Sequence, residues 1–219
     1  MKKILLVGRW GKTHAFAKAI VEKSPQSTEL YCYMDKPNAG IVPMATDYVL
    51  GDMQDNKKII QYAREKNVDF VLAVPHMSLS NNLTDELIEQ DIRCIGPTGK
   101  CSQLETSKSF LRKMLSMSGH KHLSPLYKVF KAKEDAIDHI HSIDYPFAVK
   151  PAGVTEGDGV KVIGIQLENK EEAISYVHEI FEKNIGGIAE IIIEEKLSGR
   201  EFTIQAFVNG EVISEMPAT

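Results

Sequence analysis

The sequence predicts an α/β protein, with a doubly wound parallel sheet in roughly its first hundred residues and an α+β second half. Three observations carry that expectation. Ile4–Val7 (ILLV) is a continuous apolar run, the mark of a strand buried on both faces of a parallel sheet. Gly8, Gly11 and a helical pattern (Ala15, Phe16, Ala19, Ile20) follow it at once, before a second apolar run at Glu29–Met34. Far downstream, Phe147–Val149 and the run from Val160 to Ile163 flank Gly153, Gly157 and Gly159, which reads as a hairpin rather than a crossover.

Taken in order, the first βαβ unit sets the loop Gly8–Thr13 at the carboxyl end of a strand and the start of a helix. Free N–H groups there favour an anion. Asn56–Asn67 is the next helix, with Ile59, Ile60 and Ala63 inward and Asn67 as a left-handed cap, feeding a strand at Val68–Val74. Asn82–Gln90 places Leu83, Leu87 and Ile88 on one face, and Ile92–Ile95 is another strand. Gly96-Pro97-Thr98 breaks the rhythm, so the first domain is expected to span 1–97 and the second 98–219. Ser102–Ser118 reads as one helix with Leu104, Phe110, Leu111, Met114 and Leu115 as its buried stripe, ended by Gly119. Pro125–Phe130 is a strand and Glu134–His141 a short helix. The glycine hairpin then occupies about 146–150 and 160–165. Asn169 and Glu172 form a capping box that opens a helix with Ala173, Ile174, Val177, Ile180 and Phe181 inward. Ile191–Ile193 is a strand, and Glu201–Val208 pairs with Glu211–Glu215 across Asn209-Gly210, a type I′ signal.

At 219 residues the length suits two domains. The chain is 43% hydrophobic and 26% charged, ordinary for a globular protein, and its net charge is −4. That balance argues for neither a nucleic-acid nor a membrane partner, so any anion site must come from local geometry. Cys32, Cys94 and Cys101 are odd in number and lack metal-site spacing, which fits a reducing cytoplasm. The apolar run after Lys2 and Lys3 stops at Arg9, too short for a signal peptide. The pairs His120/His122 and His139/His141 sit two apart, the wrong spacing for ligands on one helix face.

The glycine hairpin is the stretch with chemistry in it. Lys150 ends its first strand as a point charge, and a side-chain-poor loop lets backbone N–H groups approach phosphate oxygens. A floppy surface turn gives the same letters. At the amino end, Asp35 closes the second strand where a dinucleotide fold keeps its ribose-binding acid. The glycine spacing, however, is GxxG rather than GxGxxG.

Order along the chain sharpens this. Lys108 on a helix, then Lys150 before a glycine loop, then Glu194-Glu195 with Leu197 after an apolar strand, then Glu201, resembles the ATP-grasp fold. IGPTGKCSQLETSKSF (95–110), VKPAGVTEGDGVKVI (149–163) and IIIEEKLSGREFTIQAFVNG (191–210) are similar to segments of phosphoribosylamine–glycine ligases, also called glycinamide ribonucleotide synthetases. GRWGKTHA (8–15) is a looser copy of that family's GSGGREHA, and PNAG (37–40) of its PGNAG.

The resemblance implies a Rossmann-like pre-ATP-grasp domain followed by an ATP-grasp domain with a lid at about 124–194, cut short at Thr219. It also implies that Lys108, Lys150 and the loop glycines Gly153, Gly157 and Gly159 meet the ATP phosphates. The backbone at Glu195 and Leu197 would read the adenine edge, with Glu194 also counted among the ATP-binding residues, and Glu201 would accept the ribose hydroxyls. A cis-diol suits a carboxylate, and adenine suits one backbone acceptor and one donor. Gly8, Gly11, His14 and Asn38 would border 5-phosphoribosylamine, the amine joined to glycine with Mg²⁺ (or Mn²⁺) and ATP. Metal ligands are expected beyond Thr219, and the 219-residue chain is expected to bind nucleotide without turning over.

Three departures bear on the amine and the lid. Lys12-Thr13 replaces the family's Arg-Glu, His76 stands where its GPE turn is acidic, and Glu156 and Asp158 enter the lid loop. Two carboxylates beside a triphosphate repel it by about 1 kcal/mol per close pair even in water-like surroundings. They are therefore expected to point outward or to sit near a cation. Another ATP-grasp carboxylate–amine ligase, or a nucleotide-binding fragment without chemistry, remains open on these letters.

Overall fold

The computed structural model describes residues 1–74, 81–153, 155 and 159–218. His76 and Gly157, with Glu156 and Asp158, lie outside the described residues. The chain divides into two compact units, Met1–Met114 and Leu115–Thr219.

In the first unit five strands, β1 (Lys2–Val7), β2 (Thr28–Met34), β3 (Asp47–Leu50), β4 (Phe70–Ala73) and β5 (Cys94–Ile95), form one parallel sheet in the order β3-β2-β1-β4-β5. This is a doubly wound sheet whose strand order reverses at β1, the place where such folds bind ligands. Alternate residues serve opposite faces. Leu5, Val7, Tyr31 and Tyr33 pack with Ile59, Tyr62 and Ala63 of α2 (Asn56–Lys66) and with Leu83 and Leu87 of α3 (Leu83–Glu89). Leu6, Leu30, Cys32 and Met34 pack with Ala17 of α1 (Gly11–Lys23) and with Ile41. That double burial is why ILLV carries no polar alternation. The Asp55 side chain caps α2 through the Lys58 N–H, and Asn67 closes it at φ 50°.

Two expectations fail in this unit. Strand β3 was not anticipated. It is an edge strand of alternating half-buried and exposed residues, and its Asp47 is claimed by Lys66 at 2.7 Å and the Tyr62 hydroxyl at 3.2 Å. The single helix expected over Ser102–Ser118 is two, α4 (Gly99–Thr106) and α5 (Lys108–Met117). Ser107 parts them in an extended conformation (φ −136°, ψ 104°), and its hydroxyl accepts the Phe110 N–H at 3.3 Å. A serine that can bond nearby backbone competes with continued helix, and apolar periodicity does not register this. The expected stripe is correspondingly shallow. Phe110, Leu111 and Leu115 are half-buried, while Leu104 and Met114 are exposed.

The second unit holds an antiparallel sheet in the order β6-β9-β7-β8, built from β6 (Tyr127–Phe130), β7 (Phe147–Pro151), β8 (Lys161–Val162) and β9 (Ile191–Glu195). Phe147, Val149, Ile191 and Ile193 bury one face against Ala136 and Ile140 of α6 (Lys133–Ser142) and Ala173, Val177 and Ile180 of α7 (Lys170–Lys183). By the two-residue period, Ala148, Lys150, Ile192 and Glu194 face the other side. Asn169 caps α7 through the Glu172 N–H at 2.9 Å. The Glu172 carboxylate reaches back to the Glu168 N–H at 2.8 Å, one residue earlier than a regular capping box.

The closing hairpin is shorter than expected, with β10 (Ala206–Val208) against β11 (Ile213–Glu215). Positive φ falls at Gly210 (88°) and not at Asn209, so the expected type I′ turn over Asn209-Gly210 is not formed. Asn209 instead bonds across the loop, its Oδ1 accepting the Val212 N–H at 3.2 Å.

Candidate functional site

In the first unit the loop after β1 gathers most of the residues expected near the amine substrate. The Gly8 N–H donates to the Tyr33 carbonyl at 2.9 Å, which turns the chain out of the sheet at φ 134°, a value that favours glycine. Helix α1 begins three residues later with no side-chain cap and no acidic residue in its first turn, so its leading N–H groups keep their positive end. Asn38 ties a second loop to this one. Its Nδ2 donates to the Arg9 carbonyl at 2.6 Å, and its Oδ1 accepts the N–H groups of Gly40 (2.8 Å) and Ile41 (3.1 Å). A Cβ on Gly40 would lie 2.4 Å from His14 Cε1, so that glycine makes room for the imidazole. Gly8, Gly11, His14 and Asn38 are therefore neighbours, with Asn38 acting as a brace for the loops.

Arg9 and Trp10, which sequence reasoning passed over as site residues, also stand here. Arg9 lays its guanidinium 3.6 Å from the Trp10 ring centroid and sets Nε 2.6 Å from Asp35 Oδ1, an ion pair without the alignment of a hydrogen bond. The acid that a dinucleotide fold would turn toward a ribose is thus engaged by Arg9. Thr13 is fully buried, and among the described residues its hydroxyl has no hydrogen-bond partner.

In the second unit, Lys150 and Glu194 are diagonal neighbours on one sheet face, since Lys150 pairs with Ile192 and Glu194 with Ala148. Their side chains form an ion pair with little access to water, 22% exposed for the lysine and 7% for the glutamate. Gly153 and Gly159 lie between β7 and β8. A Cβ on Gly153 would lie 1.9 Å from the Gly186 carbonyl oxygen, so glycine is demanded by packing there, whatever the loop binds. The Gly159 N–H donates to Thr155 Oγ1 at 3.2 Å, and the buried Tyr176 hydroxyl donates to the Gly159 carbonyl at 2.8 Å.

Tyr176 was missing from the expected inward face of α7, although an aromatic one turn after Glu172 and next to Val177 is signal enough. Burial, with Glu179 adding to it, raises its pKa, so the phenol stays a donor throughout the physiological range. Tyr176→Phe is expected to lower unfolding stability by about 1–2 kcal/mol, read as a shifted denaturant midpoint, and to speed amide exchange at the loop end.

Strand β9 carries the remaining candidates outward. Lys196 donates its N–H to the Pro146 carbonyl at 2.8 Å, while Glu195, one residue earlier, bonds the opposite neighbour, Leu126. Leu197 is 68% exposed, and Glu201 lines an open depression with Arg200, Phe202 and Thr203. Glu201 precedes β10 rather than beginning a strand, contrary to expectation. Lys108 is the first residue of α5, in the first unit. Among the described residues, no three of His, Cys, Asp and Glu come together as a metal site.

Two family models account for the chain end to end. The phosphoribosylglycinamide synthetase N domain matches residues 2–105, and the phosphoribosylglycinamide synthetase ATP-grasp (A) domain matches residues 106–219. The chain belongs to the phosphoribosylglycinamide synthetase family. Curated relatives include the phosphoribosylamine–glycine ligases of Methanopyrus kandleri, 41% identical over 100% of this chain and 48% of that protein, and of Methanosphaera stadtmanae, 38% identical over 99% and 48%. The chain therefore spans about half the length of the relatives it matches. Among solved structures, the Thermotoga maritima phosphoribosylamine–glycine ligase superposes with a TM-score of 0.76 at 23% identity, covering 99% of this chain and 49% of that one. An N5-carboxyaminoimidazole synthetase from Staphylococcus aureus, solved with ADP, does so at 0.70 and 14%, covering 99% and 53%. At these identities the two structures speak for the shared fold.

Proposed function

We propose that this chain is part of an ATP-dependent ligase that joins glycine to 5-phosphoribosylamine in purine synthesis. The glycine carboxylate attacks the γ-phosphate and releases ADP. The amine then displaces phosphate from the resulting glycyl phosphate. The observation that supports this most is the end-to-end match of both family domains, residues 2–105 and 106–219.

The chain's own residues take roles that need charge neutralisation more than side-chain proton transfer. Lys108 and Lys150 offset charge on the phosphate oxygens, and the loop from Gly153 through Gly157 to Gly159 covers them. The backbone at Glu195 and Leu197 borders the adenine, Glu194 holds Lys150 within the ATP site, and Glu201 accepts the ribose hydroxyls. The uncapped start of α1, with Gly8, Gly11, His14 and Asn38 around it, takes the sugar phosphate of the amine. Mg²⁺ (or Mn²⁺), when bound, screens the triphosphate. In this reading the pre-ATP-grasp domain covers 1–97 and the ATP-grasp domain begins at 98, with its lid at about 124–194. The free cysteines suit a cytoplasmic setting. Among the described residues no helix is long and apolar enough to cross a membrane.

The test is ADP release with glycine and 5-phosphoribosylamine. A protein of the relatives' length is expected to need both substrates, whereas residues 1–219 alone bind ATP without turnover. Robust ADP release by residues 1–219, or release by the longer protein that ignores the amine, contradicts the reading. Lys12-Thr13 favours one second reading, a carboxylate–amine ligase of the same fold with a different amine. A phosphate-release screen over amines separates the two.

A further inference from the structure

We infer that the Glu195 carboxylate is a positioning residue that holds the edge of β9 open for an amino-bearing purine. This rests on the proposed nucleotide site. The sheet registers place Leu126 opposite Glu195, one step beyond the Tyr127–Glu194 pair. Two residues bonded across an antiparallel ladder ordinarily exchange both main-chain hydrogen bonds. Here only half of that exchange is made. The Glu195 N–H donates to the Leu126 carbonyl at 2.9 Å, but the Leu126 N–H donates to Glu195 Oε1 at 2.8 Å. The side chain has taken the place of its own carbonyl in the ladder.

That substitution changes what the edge offers. The N–H and C=O of one strand residue point to the same side, and the sides alternate along the chain. Lys196 turns its N–H to the Pro146 carbonyl at 2.8 Å, on the β7 side. On the other side the next groups in order are the Glu195 carbonyl, relieved of its reciprocal bond, and the Leu197 N–H. An acceptor followed by a donor complements a purine with a 6-amino group and an unprotonated N1, as in adenine. Hypoxanthine presents the reverse, an oxygen and an N1–H, and meets like with like at both positions. The Glu195 carboxylate thereby sets nucleotide choice without itself touching the base, by keeping Leu126 off the main-chain carbonyl that does.

The experiment is a titration of the 219-residue chain with ATP and, separately, with inosine triphosphate. The unaltered chain is expected to prefer ATP by about tenfold or more, the worth of one lost and one opposed hydrogen bond. Glu195→Ala returns the Leu126 N–H to the main-chain carbonyl. It is expected to weaken ATP about tenfold while leaving inosine triphosphate unchanged. Glu195→Asp, too short to reach Leu126, gives the same loss and serves where the alanine variant does not fold. Glu195→Gln keeps an acceptor oxygen and retains the preference. An Ala or Asp variant with the original preference, or with both nucleotides weakened equally, overturns the inference and leaves the nucleotide site standing. Failure of the unaltered chain to bind ATP removes the site itself, and the inference with it.

Discussion

Lys150→Met is expected to lower the unfolding stability of the chain by about 3 kcal/mol, because it removes the lysine ammonium from a carboxylate with little access to water. Breaking one side of a buried pair costs about 3–5 kcal/mol, and the partly exposed lysine places this pair at the lower end. Glu194 is only 7% exposed at its side chain and sits between β6 and β7, paired with Tyr127 and Ala148. The double variant Lys150→Met/Glu194→Leu removes both charges and is expected to recover most of the loss, as apolar replacements of buried pairs do. ATP binding is expected to be lost in both variants, which separates the stabilising role of the pair from the role toward phosphate proposed for Lys150. Urea melts and nucleotide titrations on the three proteins decide it. A single variant within about 1 kcal/mol of the unaltered chain would show the pair to be an exposed-type contact.

Gly153→Ala is expected to be as damaging, at about 3 kcal/mol, for a different reason. The new methyl carbon meets the Gly186 carbonyl oxygen at 1.9 Å; its position is fixed by its own Cα and its partner is backbone, so neither can turn aside. Gly186 is itself held at φ 83° in the turn that follows the Asn184 cap of α7, with Gly187 next at 70°. The neighbouring Ala152 N–H is fixed to the Glu190 carbonyl at 3.0 Å. Relief would have to move the end of β7 against the turn that leads into β9. Gly199→Ala is the control. Its Cβ meets nothing within 4 Å, and it is expected to change stability by no more than about 0.5 kcal/mol. Equal denaturant midpoints for the two variants would contradict the packing role.

The contrast between these two sites shows what the letters carry. ILLV announced a doubly buried strand because its residues feed two helical layers, and Asn67 and Asn169 announced helix ends because capping is local chemistry. Ser107 and β3 were not legible. The first acts through one hydroxyl inside an otherwise helical pattern, and the second is an edge strand held by Lys66 and Tyr62, which come from another element. The same limit governs the site. Lys150 and the loop glycines could be read off as candidates, but the pairing of Lys150 with Glu194 requires the β7–β9 register. The reason Gly153 must be glycine lies 33 positions downstream, in Gly186. The Leu126–Glu195 exchange is likewise a product of register and leaves no mark in either segment alone.

Whether two distant lysines serve one triphosphate can be asked of the chain directly. An ATP derivative carrying an acyl phosphate at its terminal phosphate transfers the acyl group to amines beside the phosphates, and peptide mass spectrometry locates the label. The expected result is acylation of both Lys108 and Lys150, each suppressed by excess unmodified ATP. Labelling that misses either lysine, or that ATP does not suppress, would contradict the account.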